Sequence, residues 1–143
     1  MNWYIQAIKK SFDFTGRAGR PEYLVFTLIH WLICLLLLSI DIAAGTSYEG
    51  GYALISGIYS ILTLIPCISI VVRRLHDINC SGWWSASPLI PLLLLVVAVL
   101  KQDLAIAIYA AILFIGFVIA LSVVVLLKGT PGDNQYGPDP ADD

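Results

Sequence analysis

The chain has 143 residues, of which 59% are hydrophobic and only 13% charged, with a formal net charge of −2 and a mean hydropathy of +0.85. Soluble domains carry about 25% charged residues, so this composition excludes an ordinary soluble domain and indicates a membrane protein; the slight acidic balance gives no sign of nucleic-acid binding. Cys34, Cys67 and Cys80 are odd in number and lack C-x-x-C spacing, which argues against a disulfide framework.

From Met1 to Phe14, Tyr4, Ile8 and Phe12 recur at helical spacing, with Lys9 and Lys10 off that stripe. The segment reads as a short interfacial helix on the membrane surface or as a frayed terminus. Gly16, Gly19 and Pro21 then break any helix. Arg20 is biased toward extended backbone by the following proline, Pro21 suits a first helical turn, and Glu22 sits where the helix dipole favours a negative charge.

The first apolar run, about 21–43, is too long for a signal-peptide core and matches the ~20 residues needed to cross a bilayer. At 100° per residue its polar members Thr27, His30, Cys34 and Asp41 fall within about 60° of one another, a face that should turn toward other helices. Asp41 is near the outer end and is expected to reach water. After a short loop, a second span covers about 52–72, and reaches Asp77 if the helix continues. Ser56, Ser60, Thr63 and Cys67 form its stripe, so the simplest packing sets the two stripes face to face. Ala53/Gly57 and Ser56/Ser60 have the small-x-x-x-small spacing that permits close backbone approach. Pro66 should kink this helix, with Thr63 or a neighbour taking up the freed carbonyl.

The segment Arg73–Trp84, RRLHDINCSGWW, is the most polar stretch between apolar runs. A third span of about 83–100 and a fourth of about 104–127 follow, divided by Lys101, Gln102 and Asp103. A charge at a helix centre costs roughly 2.5–3.5 kcal/mol, and one helix over both runs would be about twice the bilayer thickness. Ala105, Tyr109, Gly116 and Ala120 share a face of the fourth span suited to packing. The tail, 128–143, holds Gly and Pro without periodicity and reads as extended or turn-rich.

Lys9, Lys10, Arg17, Arg20, Arg73, Arg74 and Lys128 fall on one side of these spans and only Lys101 on the other. The positive-inside rule therefore makes both termini and the central segment cytoplasmic. The expected fold class is an all-α membrane protein, a single domain of residues 1–143. It has four transmembrane helices, a short interfacial N-terminal helix and a cytoplasmic tail.

FTGRAGRPEY (Phe14 to Tyr23), RRLHD with SGWW (Arg73–Asp77 and Ser81–Trp84) and the Gly-Pro run from Gly129 to Pro138 resemble, in this order, three signatures of the domain-of-unknown-function 805 family. Locally, Leu24 stands where that family usually has tryptophan, and Ile78-Asn79-Cys80 replaces a Thr-Gly-basic run. The resemblance implies a small bacterial inner-membrane protein and supplies no accepted reaction.

The cationic set has two readings. Arg17, Arg20, Arg73, Arg74 and His76, with Glu22 and Asp77 as partners, either tie the cytoplasmic loops together or recognise an anionic headgroup or partner protein. Asp77 follows the arginines in the weaker helical orientation, so a long-range pair with Arg17 or Arg20 is as reasonable. Arg73 or Arg74 should lie near Glu22 or near the tail. A second candidate set, Thr27, His30, Ser56, Ser60 and Thr63, is intramembrane; His30 reads as a neutral histidine bonded to a Ser or Thr, or as an ion path. The pattern indicates no cofactor, metal or catalytic residue. The leading expectation is a non-enzymatic scaffold or interaction module whose partners are membrane lipids, a partner membrane protein or further copies of itself. A small oligomeric transporter and a lipid-headgroup enzyme are the alternatives.

Overall fold

A computed structural model describes residues 3–46 and 53–140. It contains α1 (Trp3–Lys9), α2 (Arg20–Ala43), α3 (Leu54–Asp77), a 3-10 helix (Gly82–Ala86), α4 (Leu89–Leu100) and α5 (Leu104–Leu126). Four helical segments are long and apolar enough to cross a membrane: Arg20–Ala43, Leu54–Asp77, Gly82–Leu100 and Leu104–Leu126. Their outward leucines and isoleucines, such as Leu28, Leu36, Ile61, Leu93 and Ile112, are exposed, as surfaces meant for hydrocarbon should be.

The chain turns between these helices by one repeated device. In the Schellman motif a left-handed residue follows the helix and two backward hydrogen bonds satisfy its last carbonyls. Gly45 (φ 72°), Asn79 (φ 61°) and Gln102 (φ 55°) occupy that position. The paired bonds are Thr46 N–H to Asp41 O with Gly45 N–H to Ile42 O, Cys80 to Leu75 with Asn79 to His76, and Asp103 to Ala98 with Gln102 to Val99. The Asn79 departure from the usual glycine is thus conformationally mild, because asparagine tolerates the left-handed region better than most residues. Asp103 then accepts from Ile106 N–H at 3.1 Å and starts α5, which sets the tight turn between the last two spans.

The helices pack as two hairpins, α2 on α3 and α4 on α5. The hairpins meet where the 3-10 helix lies on α3 and where α3 touches α5. Gly82 makes the first junction possible, since a Cβ there would come 2.6 Å from Val72 Cγ1. A cluster of Ala7, Ala18, Phe26 and Ile70, with Tyr4 and Tyr23 against it, fastens α1 to the start of the first hairpin.

Several expectations change in detail. The N-terminal helix stops at Lys9, where the Ser11 hydroxyl turns back to the Ile8 carbonyl. The third span opens as a 3-10 helix rather than an α-helix. α3 runs through Pro66 and on to Asp77. Thr63 donates to Tyr59 O at 2.7 Å, one turn before the carbonyl that Pro66 leaves without a donor. A Cβ at Gly57 or Gly116 would meet nothing within 4 Å, so neither glycine serves close packing among the described residues. Residues 47–52, in the expected loop and the start of the second span, lie outside the described residues, as do 1–2 and 141–143.

Asp41 differs most. It is fully buried because its carboxylate caps the neighbouring helix: Oδ2 accepts from Ser56 N–H at 2.8 Å and Ser56 Oγ at 2.7 Å, and Oδ1 from Ile55 N–H at 3.1 Å and Thr46 Oγ1 at 2.9 Å. A negative charge at the first turn of α3 satisfies otherwise free N–H groups and matches the dipole.

Candidate functional site

Three chain segments far apart in sequence converge at one end of the molecule: the link from α1 to α2, the last turns of α3, and the tail after α5. In the first, Asp13 Oδ1 accepts from the Thr15 hydroxyl at 2.5 Å and its N–H at 2.9 Å. These bonds hold the Asp13 carboxyl below its ordinary pKa and shape the turn that leads to Gly16 (φ 71°). The same link is bonded to α3 from the other side, since Ser69 Oγ donates to Asp13 O at 2.7 Å and Lys10 O at 3.0 Å.

Arg17, Arg73 and Arg74 are buried at the centre of this convergence. Asp77 joins two of them: Arg17 donates through Nε at 3.0 Å and Nη2 at 2.9 Å to Oδ1, and Arg74 Nη1 pairs with Oδ2. Arg73 Nη1 meets Glu22 Oε1 at 2.9 Å. Among the described residues Arg73 Nε and Nη2 are buried without a partner. Three guanidinium groups thus face two buried carboxylates, with Asp139 approaching Arg17 at 4.0 Å.

The remaining donors of Arg17 and Arg74 read backbone. Arg17 reaches Thr130 O at 2.7 Å and Gly132 O at 2.6 Å. Arg74 reaches Val125 O at 2.7 Å and the carbonyl of Leu127, the groups that a helix end leaves without N–H partners. Thr130 returns the contact, donating its N–H and hydroxyl to Asp77 O at 2.9 and 3.0 Å. Gly129 passes so close that a Cβ would collide with the Asp77 carboxylate.

His76 and Arg20 lie at the margins of the hub. His76 Nδ1 is 3.1 Å from Gly16 O, and its ring stacks on Tyr136 with centroids 3.9 Å apart and 1° between planes. Asn134 Nδ2 donates to the His76 carbonyl at 2.9 Å. Arg20 is exposed and gives Nε to Leu127 O at 3.0 Å. Arg20 and Lys128 both line a cavity of about 280 Å³ with Pro21, Asp77, Pro131 and Asp139. A larger cleft, about 620 Å³, is lined by His76 and opens between α3 and the 3-10 helix.

The intramembrane set is placed differently. Among the described residues His30 meets no serine or threonine: its Nδ1 is 3.2 Å from the Tyr59 hydroxyl, and Nε2 is 3.6 Å from Cys34 Sγ and 3.8 Å from Cys67 Sγ. Tyr4, Phe26, His30 and Tyr59 form a run of stacked rings. Ser60 and Thr63 turn back onto carbonyls of their own helix, Ser56 belongs to the Asp41 cap, and Thr27 interacts with Tyr23 one turn earlier. Tyr59 was hidden from a pattern that counts tyrosine as apolar. Asn134 and Tyr136 stood in the carboxy-terminal signature resembled by Gly129 to Pro138, which gave them no role. No group of three or more His, Cys, Asp or Glu among the described residues is placed to hold a metal ion.

Comparison with known proteins agrees with this picture of the chain. Residues 11–138 match the family model described as protein of unknown function DUF805. The chain is 34% identical over 140 residues to the inner membrane protein YhaH of Escherichia coli K12, covering 98% of this chain and 97% of the relative. It is 31% identical over 140 residues to the inner membrane protein YhaI of the same organism, covering 98% and 96%. No solved structure matches.

Proposed function

From the premise that this chain belongs to the DUF805 family, we propose that it is a non-enzymatic interaction module of a bacterial inner membrane, built to hold a rigid cap at the cytoplasmic headgroup level. Its similarity to two inner membrane proteins supports the location. The charge bias supports the side, because the hub is built from the segments that carry seven of the eight basic residues.

One observation carries the reading. Each buried arginine is engaged inside the protein, on Asp77, Glu22 or tail carbonyls, and only Arg73 keeps unpartnered donors, themselves buried, among the described residues, which makes all three ties rather than ligand hands. What the cap offers outward is its rim, where exposed Arg20 and Lys128 flank the same cavity. Cations at this level attract anionic headgroups by about 1 kcal/mol each. The rim therefore contacts anionic lipid, or an acidic surface on a partner protein, while the hub fixes its shape.

The test is lipid retention by protein purified in native lipid and analysed by mass spectrometry. Arg20→Ala/Lys128→Ala should lower retained phosphatidylglycerol by about 30-fold, the equivalent of two such contacts, with unfolding unchanged within about 1 kcal/mol. Arg73→Ala/Arg74→Ala should instead destabilise the fold. Undiminished retention in the rim variant would remove the lipid reading.

A further inference from the structure

We propose that the cleft beside His76 binds the ammonium headgroup of an aminophospholipid taken from the surrounding bilayer. This site is separate from the cationic rim and its preference is opposite in charge. The cleft has a volume of about 620 Å³, within the range of small-ligand sites. None of its lining residues carries a fixed charge, so nothing in the lining repels a cation or neutralises an anion.

Two features of the lining select the ligand class. Phe14, Trp83 and Tyr136 bring three aromatic rings to one cleft, and aromatic faces attract quaternary and primary ammonium groups. Trp83 is 86% exposed, so its ring is open to a ligand rather than packed into the fold. The second feature is an oriented acceptor. His76 Nδ1 lies 3.1 Å from the Gly16 carbonyl; a carbonyl only accepts, so Nδ1 carries the hydrogen, and the tautomer this selects has its lone pair on Nε2. Stacking on Tyr136 fixes the ring plane. Nε2 points toward Gly82, where a Cβ would sit 3.1 Å from it. A side chain at position 82 would therefore cover the acceptor, and glycine leaves it open to an N–H donor.

The remaining wall indicates a lipid rather than a free amine. Ile68 and Val72 of α3 line the cleft, and Ile68 is exposed along the spanning part of that helix. The apolar wall thus runs from the headgroup level onto the surface that hydrocarbon covers, as a track for an acyl chain. Ser81 and Ser85 line the polar end, where glycerol and ester oxygens would lie.

The experiment uses full-length protein in nanodiscs containing matched-chain phosphatidylethanolamine, phosphatidylcholine and phosphatidylglycerol, with native mass spectrometry of retained lipid. In the Arg20→Ala/Lys128→Ala background, which removes the rim, ethanolamine lipid should be retained about fivefold over phosphatidylglycerol. Choline lipid, which lacks N–H donors for Nε2, should fall between them. Adding Trp83→Ala should abolish the preference. Equal retention of ethanolamine and glycerol lipids, or a preference that survives Trp83→Ala, overturns the proposal. In unmodified protein, an ethanolamine lipid with a photoreactive group beside the amine should label Phe14, residues 81–86 or Tyr136; labelling confined elsewhere also overturns it. Because labelling needs no variant, a failure of the rim reading leaves this test intact.

Discussion

Replacing Asp77 by asparagine exchanges one oxygen for an amide and leaves the shape of the hub nearly unchanged. It removes the carboxylate that accepts from Arg17 Nε at 3.0 Å and Nη2 at 2.9 Å, and that pairs with Arg74. Charge-assisted bonds contribute about 1.5–3 kcal/mol each, but bonds within one network are not additive, and the arginines keep carbonyl partners, Arg17 in the tail and Arg74 at the end of α5. The relevant scale is the removal of one partner from a buried ion pair, about 3–5 kcal/mol. The full value applies because the side chains of Arg17, Arg74 and Asp77 are 1%, 0% and 5% exposed. Asp77→Asn should therefore lower the folded-to-unfolded ratio by roughly two to nearly four decades. Reversible unfolding in mixed micelles, followed by tryptophan fluorescence, measures this, with Arg20→Ala as an exposed-charge control expected to cost no more than about 1 kcal/mol. If Asp77→Asn fell within about 0.5 kcal/mol of the parent, the hub would not be a dry ion cluster and its role as a tie would be wrong.

Asp41→Ala should cost about 2 kcal/mol, since it removes an N-terminal cap and leaves part-buried donors of Ile55 and Ser56 unsatisfied; amide exchange should accelerate at those two residues while the hub stays protected. Gly129→Ala should push the tail off Asp77 at a cost of about 1–3 kcal/mol. Limited proteolysis should then cut between 129 and 140 sooner than in the parent, with the helical circular dichroism unchanged.

The spans were legible because their cause is local: twenty-odd apolar residues between breakers, each break marked by Gly, Pro or charge. The convergence of Arg17, Glu22, Arg73, Arg74 and Asp77 was partly legible too, because charge bias puts their segments on one side and leaves few partners for so many cations. Which arginine met which acceptor was not. The hub is completed by carbonyls of Val125, Leu127, Thr130 and Gly132, and every residue has a carbonyl, so sequence carries no sign of them. Asp41 was misread for a related reason. Its position in the first span suggested the water boundary, but its acceptors serve N–H groups of the next helix, a match that exists only once α2 and α3 pack. Tyr59 and Tyr136 show the limit of binary patterning, which has no place for a side chain that is both ring and hydroxyl.

The hub also bears on how the chain is inserted. Its ties come from before the first span, from between the second and third, and from after the fourth. These three pieces can touch only when an even number of crossings separates each from the next. A nascent chain that skips the first or second span strands Arg17 and Asp77 on opposite faces of the bilayer, and one that skips the third or fourth strands both from the tail after α5. Arg17 and Arg74 wait for carbonyls that follow the fourth span or end it, beyond residue 124. The hub can therefore close only after the fourth span has been made and each pair of spans has crossed and returned.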